Sequence, residues 1–275
     1  MASFKNKIVT VKRAVPRVKY FLRGLLSKKG RKVDFIIGGV QKGGTTALDW
    51  YLRHHPSICM ASQKEVHFFD NEFIQAMPCS IRNTFYHSFF ANCDKERVLG
   101  EATPIYMWWP NALRRIKEYN PEIKLIFVLR DPVARAYSHW NMERQRGFEK
   151  ETFSDCIRRQ NNLTDGSRIT SYVSRGFYSK QIENARALFD EDQFLFLKNE
   201  DLLSNPCSNL AVVTEFLGLP TLTDVQKTKI HARNYDAPIN KEDETFLREL
   251  FLADIEKLEC QLGWELAEWK SDEKR

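Results

Sequence analysis

The chain has 275 residues and a mass of 32.3 kDa, long enough to bury a hydrophobic core without disulfide or metal cross-links. Hydrophobic residues make up 43% of the sequence and charged residues 28%, which excludes a disordered or collagen-like chain. The longest uncharged apolar run, at about residues 35–40, is far shorter than the roughly 20 residues of a membrane-spanning helix. We therefore expect a globular protein with no integral membrane segment.

The net charge of +6 comes from one end of the chain. Residues 1–33 hold eleven of the 42 Lys and Arg side chains and no acid, which leaves 31 basic against 36 acidic side chains elsewhere. Apolar residues recur there every three or four positions from Ile8 to Leu25, interrupted by Pro16. This pattern indicates either a basic amphipathic helix on a membrane surface, or a helix packed on the body or a solubilising tail. Composition alone fits a membrane, nucleic acid or an acidic polymer equally.

The six cysteines are scattered, with no C-x-x-C pair and no histidine at zinc-finger spacing, so we expect no zinc site. The N-terminal segment is charged throughout and lacks the apolar stretch of 7 to 15 residues that a cleavable signal sequence requires. We therefore expect free thiols in a reducing compartment. The predicted location is the cytoplasm, peripheral at a membrane if the arm binds one.

Apolar runs alternate with helical patterns after the arm, which is typical of β-α-β units around a parallel sheet buried on both faces. Four strands are predicted, at residues 33–38, 97–101, 124–129 and 194–197. Helices are predicted at residues 46–52, after Pro110, after the cap Asp131-Pro132, from the cap Asn205-Pro206 to Gly218, and from about Lys241 to Leu262. No repeat or low-complexity linker divides the chain. We predict a basic arm at residues 1–32 and one α/β domain at residues 33–270.

A glycine-rich turn, residues 38–46, follows the first strand and opens a helix, with the sequence Gly-Gly-Val-Gln-Lys-Gly-Gly-Thr-Thr. In this position glycines let backbone N–H groups approach an anion, and the helix dipole favours negative charge. A nucleotide-triphosphatase loop would require Gly-Lys-Ser/Thr in sequence, whereas here Lys42 precedes the pair Gly43-Gly44. The turn therefore predicts a phosphate-binding loop of a different kind from that of an ATPase.

The stretch from Phe35 to Leu48 resembles the 5′-phosphosulfate loop of sulfotransferases that use 3′-phosphoadenosine 5′-phosphosulfate (PAPS). It is most similar to the heparan sulfate and carbohydrate O-sulfotransferase branch. Four further segments agree in order and spacing, within residues 55–70, 100–106, 129–138 and 175–219. The resemblance implies a single domain with a central parallel sheet flanked by helices, of P-loop-like architecture. It also implies PAPS as the sulfate donor and no metal.

The resemblance further implies a set of donor-binding residues. Lys42 would bind the bridging oxygen of the phosphosulfate as charge develops there, and Arg130 with Ser138 would bind the 3′-phosphate. A basic lid late in the chain would close over the nucleotide. The implied donor-binding set is Lys42, Gly43, Gly44, Thr45, Thr46, Arg130, Ser138, Tyr178, Lys229 and Arg233.

Two candidates for the base that takes the acceptor's proton lie in Lys64-Glu65-Val66-His67. The carbohydrate branch uses the glutamate and the phenol and steroid branch uses a histidine, so the resemblance favours Glu65, with His67 second. Lys64 either contacts an anionic acceptor or is solvated. Ala102 stands where heparan enzymes often have a lysine in the acceptor site, which implies an acceptor less anionic than heparan.

The resulting hypothesis is a PAPS-dependent sulfotransferase that acts on a hydroxyl of a carbohydrate or glycan-like acceptor. The main alternative is a small-molecule, lipid or phenolic acceptor of the same chemistry. Two further alternatives are a nucleotide phosphotransferase and a non-catalytic module that binds polyanions through the arm. We expect no nucleic acid partner, and the sequence leaves the oligomeric state open.

Overall fold

The computed structural model describes residues 31–94, 97–159, 167–221 and 237–271. Lys229 and Arg233, implied as lid residues, and residues 1–30 of the predicted arm lie outside these ranges. The boundary between arm and domain therefore stays a prediction. None of the helices in the described ranges has both the length and the apolar character needed to cross a membrane.

The centre of the fold is a five-stranded sheet in which every neighbouring pair is parallel. Its strands are β1 (Phe35–Gly39), β2 (Ile58–Met60), β3 (Val98–Ala102), β4 (Lys124–Leu129) and β5 (Phe194–Lys198). Their order across the sheet is β2-β3-β1-β4-β5, which places β1 in the middle. The predicted α/β fold with a central parallel sheet is confirmed, and so are the four predicted strands.

The strand β2 was not predicted, because a three-residue run is too short to show a period. Cys59 of this strand forms a disulfide with Cys93, with the two Cα atoms 5.8 Å apart. The prediction of free thiols is therefore wrong for this pair, whose 34-residue separation gave no spacing signal. The other four cysteines are free, namely Cys79, Cys156, Cys207 and Cys260. The compartment of the protein stays a prediction.

Eleven α-helices surround the sheet within the described ranges. They are α1 (Thr45–Arg53), α2 (Glu72–Gln75), α3 (Cys79–His87), α4 (Ala112–Tyr119), α5 (Pro132–Gln145), α6 (Phe153–Arg159), α7 (Tyr178–Arg186), α8 (Asn199–Ser204), α9 (Pro206–Leu217), α10 (Lys241–Leu262) and α11 (Ala267–Lys270). The predicted cap of α5 is confirmed, since the Asp131 side chain accepts a hydrogen bond from Val133 N. Asn205 precedes α9, but its side chain makes no capping hydrogen bond there. Gly218 ends α9 in the left-handed conformation, as predicted.

The core lies on both faces of the sheet, because successive residues of a strand point to opposite faces. On β4, Leu125 and Phe127 join the cluster that contains Phe251 of α10. Ile126 of the same strand joins the opposite cluster, which contains Leu48 of α1. Packing on both faces fixes the strands, so the loops at their carboxyl ends start from rigid positions.

Candidate active site

The glycine turn (residues 38–46) leads from the end of β1 into the N-terminus of α1. A Cβ atom on Gly43 would lie 2.2 Å from the carbonyl oxygen of Val128, and one on Gly44 would lie 2.2 Å from Nδ2 of Asn199. Gly44 also has a φ of 96°, and Lys42 has a φ of 71°. The turn thus requires glycine for space and for backbone conformation, as expected of a backbone cradle for phosphate at a helix N-terminus.

Arg130 contacts the glycine turn from the end of the neighbouring strand β4, and Tyr178 of α7 contacts Arg130. Arg130, which follows β4, donates a hydrogen bond from Nη1 to the carbonyl oxygen of Lys42 at 3.2 Å. The Tyr178 hydroxyl donates to the carbonyl oxygen of Arg130 at 2.9 Å. Burial raises the pKa of Tyr178, so the phenol keeps its proton and donates. Ser138 is buried on α5, two turns after Arg130.

Arg135 was missed in the sequence, although it lies one turn before Ser138 on the same face of α5. Its side chain is fully buried, and it donates a hydrogen bond to the carbonyl oxygen of Tyr172. Nε and Nη1 of Arg135 have no hydrogen-bond partner among the described residues. Burial, together with the charge of Arg130, lowers the pKa of Arg135. A buried guanidinium with unused donors fits a site that receives an anion.

The base segment (residues 64–70) is held against the end of β3 by two backbone contacts. Glu65 N donates to the carbonyl oxygen of Ala102 at 2.8 Å, and Phe68 N donates to the Tyr106 hydroxyl at 2.9 Å. Within the segment, Glu65 and His67 both have positive φ, at 60° and 55°. Such a backbone is costly for residues other than glycine, so the surrounding structure must hold it in place.

The two candidate bases lie side by side. Nε2 of His67 is 3.6 Å from Oε2 of Glu65, and Nζ of Lys64 donates to Oε1 of Glu65 at 3.1 Å. Burial alone would raise the pKa of Glu65, but the hydrogen bond to His67 and the charges of Lys64 and His67 outweigh it. The pKa of Glu65 is therefore held well below its usual range, and the group is a carboxylate near neutral pH.

Behind His67 stands the carboxylate of Asp70, which lies in the matching segment 55–70 but has no role predicted from the sequence. Nδ1 of His67 is 2.9 Å from Oδ2 of Asp70, which is buried and also forms an ion pair with Arg168. Burial lowers the pKa of His67, whereas the hydrogen bonds to Asp70 and Glu65 raise it by more. The protonated imidazolium is favoured, with Nδ1 turned to Asp70 and Nε2 turned to Glu65. Arg168 lies about a hundred residues further along the chain, so spacing gave no sign of it.

A buried carboxyl group supports the base segment from below. Glu101 is fully buried and accepts hydrogen bonds from Thr103 Oγ1 at 2.5 Å, from the Tyr106 hydroxyl at 2.8 Å and from the Tyr86 hydroxyl. Burial raises the pKa of Glu101. Because the Tyr106 hydroxyl donates to Glu101, its oxygen is oriented to accept from Phe68 N. The Gly-Glu-Ala-Thr-Pro motif thus contributes to the site by holding the base segment in place.

Two arginines and two tryptophans connect the glycine turn to the base segment. The guanidinium of Arg175 lies 4.4 Å from the ring centre of Trp108, and that of Arg168 lies 4.8 Å from the ring centre of Trp109. Arg175 donates to Oε1 of Gln41 in the glycine turn and to the carbonyl oxygen of Arg168 at 2.7 Å. Since Arg168 pairs with Asp70, these contacts link both halves of the site.

Within the described ranges, one group has the spacing of metal ligands, namely Glu149, Glu151 and Cys156. Glu149 Oε1 already accepts from two backbone N–H groups, and Glu151 forms an ion pair with Arg159. Burial and the charge of Glu149 raise the pKa of Cys156 to about 12, so this thiol stays protonated.

A model of the sulfotransferase domain family matches residues 32–249. Heparan sulfate glucosamine 3-O-sulfotransferase 3B1 of Homo sapiens is 34% identical over 186 residues, which cover 67% of this chain and 45% of that protein. The human 3-O-sulfotransferase 6 is 32% identical over 197 residues, covering 71% and 55%. This chain thus spans about half the length of the curated relatives it matches.

The solved structures agree with the observed architecture. The crystal structure of a sulfotransferase from Alicyclobacillus acidocaldarius superposes with a TM-score of 0.75 at 24% identity, covering 88% of this chain and all of that one. A sulfotransferase domain from the curacin biosynthetic pathway superposes with a TM-score of 0.52 at 14% identity. At these identities the likeness concerns the fold, and it confirms the predicted P-loop-like sulfotransferase architecture. Together with the family match and the curated relatives, it places this chain in the sulfotransferase family.

Proposed function

We propose that this protein transfers the sulfuryl group of PAPS to a hydroxyl group of a carbohydrate or glycan-like acceptor. The observation that carries the proposal is the meeting of two half-sites at the carboxyl ends of adjacent strands. The glycine turn follows β1, and the base segment is bonded to the end of β3 through Glu65 N. An anion-binding turn and a carboxylate base side by side are what sulfuryl transfer to an alcohol requires.

The donor half of the proposed site uses backbone and cationic groups. The N–H groups of the glycine turn, with the hydroxyls of Thr45 and Thr46, are assigned to the 5′-phosphosulfate. Arg130 and Ser138 are assigned to the 3′-phosphate, where a guanidinium and a hydroxyl give charge-assisted hydrogen bonds. Tyr178 orients Arg130 through its carbonyl oxygen. The buried donors of Arg135 add positive potential beside Arg130.

When bound, PAPS supplies the sulfuryl group and leaves as adenosine 3′,5′-bisphosphate. A bond forms between the acceptor oxygen and sulfur, and the bond between sulfur and the bridging phosphate oxygen breaks. Lys42 stabilises the charge that develops on that leaving oxygen. Glu65 takes the hydroxyl proton, so the products are the sulfate ester, the bisphosphate and one proton bound to the carboxylate.

His67 is assigned to holding Glu65 and not to taking the proton. Its Nδ1 is turned to Asp70, and the hydrogen bonds to Asp70 and Glu65 raise its pKa, which favours the protonated form over a free base. A positive imidazolium beside Glu65 keeps the carboxylate ionised before reaction. The choice of Glu65 over His67 thus rests on the hydrogen bonds at the back of the imidazole.

The carbohydrate acceptor is inferred from the relatives, which are named as heparan sulfate glucosamine 3-O-sulfotransferases. A phenolic, lipid or other small-molecule acceptor would undergo the same step. The arm at residues 1–32 is proposed to bind an anionic surface, because it holds eleven basic side chains and no acidic one.

The donor is tested by calorimetric titration with adenosine 3′,5′-bisphosphate and with ADP. We expect the wild type to prefer the bisphosphate, and Arg130→Ala to lose that preference by about 10- to 100-fold, the size of a charge-assisted hydrogen bond. The acceptor is tested with labelled PAPS and a panel of oligosaccharides and phenols. Equal affinity for ADP and the bisphosphate in the wild type would contradict the proposed donor.

A further inference from the structure

The proposed base is restrained by a lysine that precedes it in the chain. The Lys64 side chain is 20% exposed, and its Nζ donates to Oε1 of Glu65 at 3.1 Å. The Glu65 side chain is 44% exposed, so the carboxylate faces open space on the side where an acceptor would enter. Lys64 thus contacts the proposed base as well as solvent.

The two cations beside Glu65 are held differently. His67 is fixed from behind by Asp70, which Arg168 holds in turn. Among the described residues, Glu65 is the one acid that pairs with Lys64. The imidazolium therefore stays in place during a reaction cycle, while the Lys64 ammonium can be drawn away by another anion.

The ion pair with Lys64 opposes the chemistry expected of Glu65. A general base works best when its pKa lies near the working pH. A cation at 3.1 Å stabilises the unprotonated carboxylate and so moves the pKa of Glu65 the other way. Removing the ammonium takes away one of the two groups that lower the pKa of Glu65, while His67 stays beside Oε2, and it leaves Oε1 open to an acceptor hydroxyl. The structure thus has a base that is strongest when Lys64 binds something else.

We propose that Lys64 is a specificity-determining residue, which restrains Glu65 until an anionic group of the acceptor, a carboxylate or a sulfate, binds its ammonium. This inference rests on the proposed function and adds a requirement to it, namely one negative group close to the reacting hydroxyl. The hydroxyl proton goes to Glu65, and Lys64 exchanges one anionic partner for another. A neutral acceptor has to react while the ion pair is intact.

The charges around the base segment favour this assignment. Ala102, whose carbonyl oxygen receives Glu65 N–H, contributes no charge at the neighbouring position. Arg168 is occupied by the carboxylate of Asp70 and by the ring of Trp109. Within the described ranges, Glu65 is the only charged partner of Lys64. Glu65 is also the group that takes up the hydroxyl proton during the reaction.

The test compares three tetrasaccharide acceptors of similar size. The first is neutral and contains only N-acetylglucosamine. The second alternates N-acetylglucosamine with glucuronic acid, and the third is this second acceptor with N-sulfate in place of its acetyl groups. Initial rates with PAPS are measured for the wild type, Lys64→Met and Lys64→Arg. The control is Lys270→Met, because Lys270 pairs with Glu259 at 2.9 Å with a similar partial exposure.

We expect the wild type to prefer an anionic acceptor. Lys64→Met should raise kcat/KM for the neutral acceptor about fivefold and lower it for the anionic acceptors about fivefold, the size of a partly exposed ion pair. Lys64→Arg should keep the wild-type preference, and Lys270→Met should leave every rate unchanged. If the wild type reacts faster with the N-sulfated acceptor, Lys64 binds the sulfate. If it does not, Lys64 binds the carboxylate.

The result that overturns the inference is a Lys64→Met variant that binds adenosine 3′,5′-bisphosphate normally but has an unchanged ratio of anionic to neutral rates. Equal losses on all three acceptors would also overturn it, because they indicate a merely structural role. Binding of the bisphosphate with transfer to none of the three acceptors would count against it as well. Failure of the proposed function is distinguishable, since the wild type would then not prefer the bisphosphate to ADP.

Discussion

The glycine turn and the base segment lie at the same edge of the sheet, but they are built in different ways. The glycine turn is visible in a short run of sequence, because Gly43 and Gly44 are the residues that fit against Val128 and Asn199. The base segment depends on groups far away in the chain, such as Arg168 behind Asp70 and Tyr106 below Phe68. A short motif thus identifies the glycine turn, whereas the groups that hold the base segment become visible only in the fold.

The largest effect is expected from removing the proposed base, which should impair one half of the site alone. Glu65→Gln removes the proton acceptor while keeping the shape, so kcat should fall by about 10³-fold. The affinity for adenosine 3′,5′-bisphosphate, measured by calorimetry, should stay within about twofold of the wild type. A parallel loss of bisphosphate affinity would contradict the separation of the two halves.

Opening the disulfide should weaken the acceptor half more than the donor half. Cys59→Ser should lower the free energy of unfolding by about 3 to 4 kcal/mol, the loop-entropy value for a cross-link spanning about 34 residues. Cys93 follows α3, whose Tyr86 packs on Phe68 of the base segment. We therefore expect kcat to fall while bisphosphate affinity is kept.

The matched control for the disulfide is Cys207→Ser, because Cys207 is free and exposed. Denaturant unfolding should show no change for Cys207→Ser, and added reductant should destabilise only the proteins that retain Cys59 and Cys93. Equal stability of Cys59→Ser and the wild type under non-reducing conditions would contradict the cross-link.

A glycine substitution tests the donor half in turn. Gly44→Ala places a Cβ 2.2 Å from Asn199 Nδ2 at a φ of 96°, and overpacking of this kind costs about 1 to 3 kcal/mol. Bisphosphate affinity should fall more than tenfold, because the backbone N–H groups move from their places. Gly147→Ala is the control, since Gly147 also has a positive φ but no atom within 4 Å of the added Cβ.

The smallest effect concerns the pH dependence of stability. The pKa of His67 is raised in the folded protein, so its stabilising effect is complete below the unfolded pKa and is lost as pH rises through the folded pKa. The wild type should exceed His67→Gln in unfolding free energy by on the order of 1 kcal/mol at pH 5.5 and by less at pH 9. A difference that grows with pH would contradict an imidazolium between Glu65 and Asp70.

The sequence predicted those features that neighbouring residues determine. The strand at residues 124–129 is a continuous apolar run, and Asp131-Pro132 caps the next helix through its own side chain and ring. The strand Ile58–Met60 was missed because its pairing with β3, and not its composition, makes it a strand. The Cys59–Cys93 disulfide was missed for the same reason.

The site was predictable to a similar extent. Lys42, Arg130 and Tyr178 were named from motifs, and the fold brings them into one hydrogen-bonded group. Arg135 was overlooked because a single arginine in a helix has no distinguishing spacing until its burial is known. Asp70 was given no role, because its function depends on the direction in which the His67 ring turns.

The tryptophan pair beside the two arginines has a practical consequence. Trp108 and Trp109 are two of the six tryptophans, and each indole ring is covered by one guanidinium. Indole fluorescence responds to a cation near the ring, so a ligand that displaces Arg168 or Arg175 alters the emission spectrum. The protein therefore carries an intrinsic optical probe at the junction of its two half-sites, and the order in which ligands arrive can be followed without a label.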